Sequence, residues 1–235
     1  MFSDISAHDR TSLWIQLLNR IKPRTALEIG VWKGEFAADM LRATPSIARY
    51  YMIDPWRRLD HWNKPLNTED LERAYQDALR ATAFAKERIE VLRGTTAERF
   101  DQIPDNSLDL IYVDGDHTLR GIATDLVCIY SKLKPGAFLG GDDFWPNIWQ
   151  HGRNFEPTLV FPFVVYFAEA VGAELWALNH GQFIMQKPLG RRRFQFHDPK
   201  SLYVQTELLP LIPLPRRPNL VRRVADKLRR PLTGQ

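Results

Sequence analysis

Residues 108–143, LDLIYVDGDHTLRGIATDLVCIYSKLKPGAFLGGDD, hold two strands and the helix between them in one continuous run. Leu108–Val113 is a short apolar segment after the turn PDNS, which reads as a strand. Leu119, Ile122, Leu126, Ile129 and Leu133 then recur at steps of three and four, the period of an amphipathic helix. Lys134-Pro135-Gly136 is expected to end that helix, and residues 137–140 (AFLG) to form the next strand. Two strands joined by a helix run parallel.

The same alternation extends outward. Residues 25–30 (TALEIG), 49–54 (RYYMID) and 89–92 (IEVL) read as strands. A helix carrying Phe36, Met40 and Leu41 stops before Pro45; others are expected around 68–85, near 97–103 and, upstream, over 9–20. Residues 174–178 and 182–186 flank Asn179-His180-Gly181 as an antiparallel hairpin. The expected fold is α/β, a doubly wound, mostly parallel sheet of seven strands closed by that hairpin.

Composition agrees with a globular chain. Of 235 residues, 44% are hydrophobic and 26% charged, which argues against wholesale disorder. The single cysteine, Cys128, excludes an internal disulfide framework and a cysteine zinc cluster. The N-terminus lacks the apolar run of a secretion signal, and the most apolar stretch, residues 157–168, is too short to cross a bilayer. A cytoplasmic location is the expectation. The net charge of +4 is uneven: residues 187–235 hold 12 basic against three acidic residues, +9, and residues 1–186 therefore carry −5. This makes nucleic acid an improbable partner for the body. The chain divides into an α/β domain over 1–186 and a basic, Pro/Arg-rich arm over 187–235. In the arm, residues 219–230 read as an amphipathic helix, suited either to a membrane surface or nucleic acid or to docking on the core or a second copy, so a homo-oligomer is one expectation.

In a parallel sheet, ligands bind beyond the carboxyl ends of the strands, where the strand order reverses. Those ends carry Glu28-x-Gly30-x-x-x-Gly34, then Asp54, Thr95-Thr96, Asp114 and Asp142-Asp143. Glycines let the backbone turn tightly and approach a ligand. Asp54 stands where a carboxylate can accept hydrogen bonds from both hydroxyls of a ribose. Asp114, Asp142 and Asp143 would converge if their strands are neighbours. Three close carboxylates repel unless a cation neutralises them, and an all-oxygen set selects a hard ion such as Mg²⁺. Asp116 is a plausible helix cap.

ALEIGVWKG, YYMIDPW, DLIYVDGDHTLRGIATDL and KPGAFLGGDDF resemble class I S-adenosylmethionine-dependent methyltransferases, Rossmann-like enzymes. Within them the DGDH and GDDF blocks are similar to a bacterial subgroup related to metal-dependent catechol-type and sugar O-methyltransferases. The resemblance covers residues 20–186. It implies that Glu28, Gly30 and Gly34 surround the methionine end of S-adenosylmethionine, that Asp54 holds the ribose, and that Thr95 and Thr96 lie by the adenine. Asp114 would border the cofactor. With Asp142 and Asp143 it would also ligate Mg²⁺ or a similar divalent cation. His117 falls where catechol-type relatives carry a lysine base, with Asp116 as competitor.

The function so implied is metal-assisted O-methylation of a small hydroxylated substrate, a sugar or a natural-product intermediate. The alternatives are a metal-independent methyltransferase acting on nitrogen or another acceptor, and a non-catalytic nucleotide-binding or oligomerisation module. Two aromatic loops, residues 55–62 with Trp56 and Trp62 and residues 144–151 with Trp145 and Trp149, either stack on the substrate or pack on themselves. Arg57 and Arg58 could meet a carboxylate or phosphate.

Overall fold

The structure is a computed structural model that describes residues 1–2, 4–60, 66–151, 156–190 and 193–203. Helix α1 (Arg10–Ile21) starts at Asp9, whose side chain accepts the Ser12 N–H at 2.7 Å while the Ser12 hydroxyl turns back to close a capping box. Its Leu13, Trp14, Leu17 and Leu18 are buried, and each buried leucine contributes about 1.5–3 kcal/mol. There follow β1 (Thr25–Ile29), α2 (Glu35–Ala43), β2 (Arg49–Asp54), α3 (Thr68–Thr82), β3 (Ile89–Arg93), α4 (Thr96–Arg99), β4 (Leu108–Val113), α5 (Leu119–Ile129) and β5 (Leu133–Gly141). The chain continues with α6 (Val160–Val171), β6 (Glu174–Ala177), β7 (Phe183–Gln186) and β8 (Gln195–His197).

The sheet runs β3-β2-β1-β4-β5-β7-β6-β8. The first five strands are parallel, β7 is antiparallel to both β5 and β6, and the order reverses between β1 and β4. Strand alternation sorts the core into two layers. Tyr50 and Met52 pack with Leu17, Phe36 and Ala78 on one face, and Tyr51 and Ile53 with Leu126 and Val164 on the other.

Three sequence expectations are corrected. The sheet has eight strands, not seven, because β8 pairs parallel to β6 through Leu175 and Phe196. That strand lies beyond Lys187, where composition shows little β signal; Phe196 and Tyr203 pack on the core, and this burial holds it. Lys134-Pro135-Gly136 does not end a helix. Helix α5 stops at Ile129, and the Pro-Gly pair sits inside β5, where the register with β4 shifts between Leu108↔Leu133 and Leu110↔Phe138. An irregularity of this kind is where a strand tolerates proline. The apolar stretch 157–168, given no element from sequence, contributes most of α6 (Val160–Val171), with Pro162 in the first turn, where a missing N–H has no intrahelical partner.

Among the described residues no helix is long and apolar enough to cross a membrane. The amphipathic helix expected over 219–230, and the oligomer contact expected of it, lie outside the described residues.

Candidate active site

At the switch point between β1 and β4, the chain turns sharply after Ile29. Gly30 has φ +84°, and a Cβ there would lie 2.0 Å from the Asp114 carbonyl oxygen, so only glycine lets the two strand ends approach. A cavity of about 440 Å³ opens beyond these ends. Thr95 and Thr96 after β3, Asp54 at the end of β2, Gly30 after β1, and Asp114 and Asp116 after β4 line it. Asp54 accepts the Trp32 N–H at 2.9 Å on one oxygen and the Trp56 N–H at 2.8 Å on the other. It thereby ties the loop after β1 to the loop after β2. Thr95 caps α4 in a reciprocal box with Glu98.

Two expected cofactor residues stand back from the cavity. Glu28 is 1% exposed on the α1 face of the sheet and accepts the Tyr50 hydroxyl at 2.6 Å. Burial there raises its carboxyl to about 8, against the Tyr50 hydrogen bond. Gly34 opens α2 at φ +75°, and a Cβ there would meet the Ala78 backbone at 2.8 Å. Its role is close packing of α2 on α3.

Asp114, Asp142 and Asp143 do converge, because β4 and β5 are neighbours with Val113 beside Gly141. The cation between the first two is Arg10. One guanidinium nitrogen lies 2.9 Å from Asp114 Oδ2 and 2.5 Å from Asp142 Oδ2. Arg10 is the first residue of α1, and its guanidinium lies over the Phe36 ring. Gln182, fully buried, fixes Asp142 further by donating to Oδ1 at 2.5 Å while accepting from Trp14 Nε1. Burial and the Asp114 charge still raise the Asp142 carboxyl. The expected hard-ion site at Asp114, Asp142 and Asp143 does not fit this arrangement, because two of its three carboxylates already share a guanidinium.

His117 lies between two of these carboxylates. Its Nε2 lies 3.2 Å from Asp114 Oδ1 and its Nδ1 2.5 Å from Asp143 Oδ2. Burial disfavours a charged ring, but hydrogen bonds and charge from the two carboxylates outweigh it and push His117 up to about 10. Both ring nitrogens thus face carboxylates, which favour the protonated ring until an ion competes for one of them. Asp143 is lowered despite its burial, chiefly by the His117 hydrogen bond. Its second oxygen accepts Gln150 Nε2 at 3.0 Å, and His151 Nε2 lies 3.2 Å from Oδ2. Asp116 accepts the Thr118 N–H at 3.1 Å, but the cap of α5 is Thr118, whose hydroxyl accepts from Gly121.

The fold and this cavity agree with what comparison finds. The profile of the methyltransferase-domain family matches residues 27–144, half of the sequence.

The chain belongs to the methyltransferase-domain family.

Solved methyltransferases share its fold. An O-methyltransferase from Bacillus cereus, determined with SAH, is 19% identical and superimposes with a TM-score of 0.56 over 78% of this chain and 84% of its own. The O-methyltransferase TomG from Streptomyces achromogenes, determined with SAM, is 17% identical, with a TM-score of 0.57 over 80% and 83%. The methyltransferase PaMTH1 of Podospora anserina, bound to SAH, gives 0.55 over 75% and 77% at 17% identity. At these identities the likeness shows the fold. An uncharacterized protein, y4gI, from Sinorhizobium fredii is 25% identical over an alignment of 168 residues that covers 66% of this chain. The matched part is 18% of that protein's length.

Several site residues of this methyltransferase domain were not singled out from sequence. Asp125 lines the cavity from α5, and burial raises its carboxyl to about 7. Its signal was a lone acid three residues after Ile122, on the apolar stripe of that helix. Arg10, Gln182 and His151 come from distant segments and carry no local pattern. Of the aromatic loops, Trp56 is 1% exposed and donates its indole N–H to the Trp32 carbonyl at 2.7 Å, so it packs its own loop. Trp145 is 40% exposed. Arg57 is paired with Glu98 at 2.6 Å. His61 and Trp62 lie outside the described residues.

Proposed function

We propose that this domain transfers a methyl group from S-adenosylmethionine to a hydroxyl of a small molecule, a sugar or natural-product intermediate. One observation carries the reading: in a methyltransferase-family domain, the cavity at the switch point brings the Gly30 turn, the Asp54 carboxylate and a few polar groups on a largely apolar wall into a single site. The volume is within the range of small-molecule pockets. Gly30 gives the close backbone approach that the methionine end needs. Asp54 accepts from ribose hydroxyls, and Thr95, Thr96 and the buried Asp125 border the adenine.

S-adenosylmethionine, when bound, supplies a sulfonium-activated methyl carbon and a neutral thioether leaving group. The chain's part is to orient the acceptor oxygen in line and to remove its proton. Asp116 is the group that would take the acceptor hydroxyl's proton when its oxygen receives the methyl group. Asp116 lines the cavity and has Arg120 3.9 Å from one oxygen. Arg10 favours a reaction in which no Mg²⁺ bridges Asp114 and Asp142.

The test is calorimetric titration with S-adenosylmethionine, followed by transfer of labelled methyl to a panel of hydroxylated and amine acceptors. Saturable binding, weakened about tenfold or more in Asp54→Ala, together with O-methyl products supports the proposal. No cofactor binding by the folded protein sinks it, and N-methyl products alone move the assignment to an amine acceptor.

A further inference from the structure

His117 and His151 stack at a ring-centroid distance of 5.6 Å on the outer side of Asp143. Their ligand nitrogens and one Asp143 oxygen all lie within 4.8 Å of one another. We infer that His117 Nδ1, Asp143 Oδ2 and His151 Nε2 form a three-ligand site for a first-row divalent transition ion of the zinc class. This goes beyond the methyl-transfer reading and stands without it, since metal binding needs no cofactor.

Ion choice follows from the donors. Two imidazole nitrogens and one carboxylate oxygen suit zinc, iron, cobalt or nickel, whereas Mg²⁺ asks for oxygen. A zinc ion about 2.0–2.1 Å from each ligand places ligand pairs roughly 3.0–3.4 Å apart. The Asp143–His151 pair is already at 3.2 Å and the Asp143–His117 pair at 2.5 Å. His151, with its side chain 46% exposed, has room to adjust the third pair.

The surroundings support a ligand role more than chance proximity does. Histidines that bind a metal through one nitrogen usually give the other N–H to a carboxylate, which fixes tautomer and ring orientation. His117 meets this condition: Nε2 faces Asp114 Oδ1 at 3.2 Å, and Asp114 is itself held by Arg10. Asp143 is treated likewise, since Gln150 occupies Oδ1 and leaves Oδ2 to the two histidines. Arg10 thus has a second consequence. It engages one oxygen each of Asp114 and Asp142, and so leaves Asp143 as the carboxylate that no Arg10 contact occupies. Three protein ligands leave a coordination position for water or an acceptor hydroxyl, the pattern of catalytic rather than structural zinc.

The experiment is titration of the full, untagged, metal-stripped chain with ZnCl₂, CoCl₂ and MgCl₂, read by calorimetry and, for cobalt, by visible absorption. One equivalent of Zn²⁺ should bind, with Mg²⁺ at least about 100-fold weaker. His151→Ala should lower zinc affinity by at least about 100-fold, more than an outer partner costs, and Asp114→Asn by about tenfold. His180→Ala and Asp142→Asn should leave it unchanged, with circular dichroism confirming that each variant is folded. No zinc binding overturns the inference, as does zinc binding indifferent to His151. Tight Mg²⁺ binding lost in Asp142→Asn would return the site to the carboxylate set. None of these outcomes depends on whether S-adenosylmethionine binds.

Discussion

Glu28 spends most of the neutral pH range as a buried acid with the Tyr50 hydroxyl against it. Its folded value of about 8 lies above the ordinary 4.5, so the native state holds the proton more tightly than the unfolded chain. Stability from this group is complete below about 4.5 and is lost as pH rises towards 8. Glu28→Gln keeps an oxygen for Tyr50 and removes the titration. The variant should melt higher than wild type at pH 8 and equal to it at pH 4, by about 2–4 °C for each kcal/mol relieved. Thermal melts at both pH values check this, and an equal difference at both would contradict it. Arg10→Met exposes the opposite problem, two carboxylates without their cation. With the Arg10 side chain 38% exposed, the cost at pH 7 is about 1–2 kcal/mol, and it should shrink in acid as Asp142 takes up a proton. Denaturant midpoints measured at pH 4 and 7 test that sign. For catalysis, Asp116→Asn retains the oxygen that accepts the Thr118 N–H. It should reduce kcat by 10²–10⁴, the usual range of roughly that order for a lost base, with cofactor affinity intact. Unchanged turnover would remove Asp116 from the reaction.

Elements were legible wherever a local rule dominates. The three- and four-residue spacing of Ile122, Leu126 and Ile129 is a property of one helix, and it appears in the structure as written. Pro135 was misread because its meaning depends on β4: in isolation Lys-Pro-Gly stops a helix, but beside Leu108 and Leu110 it rides an irregular register. Helix α6 was missed for a related reason. Its residues are apolar all round, so no period stands out, and only packing of Val160, Val164 and Ala168 reveals the inward face. The α2–α3 contact supports a prediction at this level. Gly34→Ala adds a Cβ at φ +75° against the Ala78 backbone, and should cost about 1–3 kcal/mol while the strand ends stay in place. A lowered urea midpoint with cofactor affinity retained is the expected pair of results.

At the level of the whole molecule, the strand-end carboxylates could be listed from sequence, but their partners could not. Arg10 reaches Asp142 across 132 residues and Gln182 reaches it across 40. No spacing rule spans such gaps, so the sequence shows the carboxylates without showing that Arg10 reaches them. The C-terminal boundary was obscured in the same way, since β8 depends on aromatic packing made far from its own sequence. Tyr203 donates its hydroxyl to the Phe144 carbonyl at 2.5 Å, and both rings pack with Phe161. Tyr203→Phe should lower the melting temperature by about 2–4 °C, the loss of about 1 kcal/mol from one buried hydrogen bond. That bond also fastens the polypeptide into a ring, from Phe144 through α6 and the last three strands back to its own beginning, with the clasp one residue from Asp143. Opening the ring anywhere therefore slackens the chain beside Asp143, and amide exchange at β8 should quicken in step with exchange at residues 143–144.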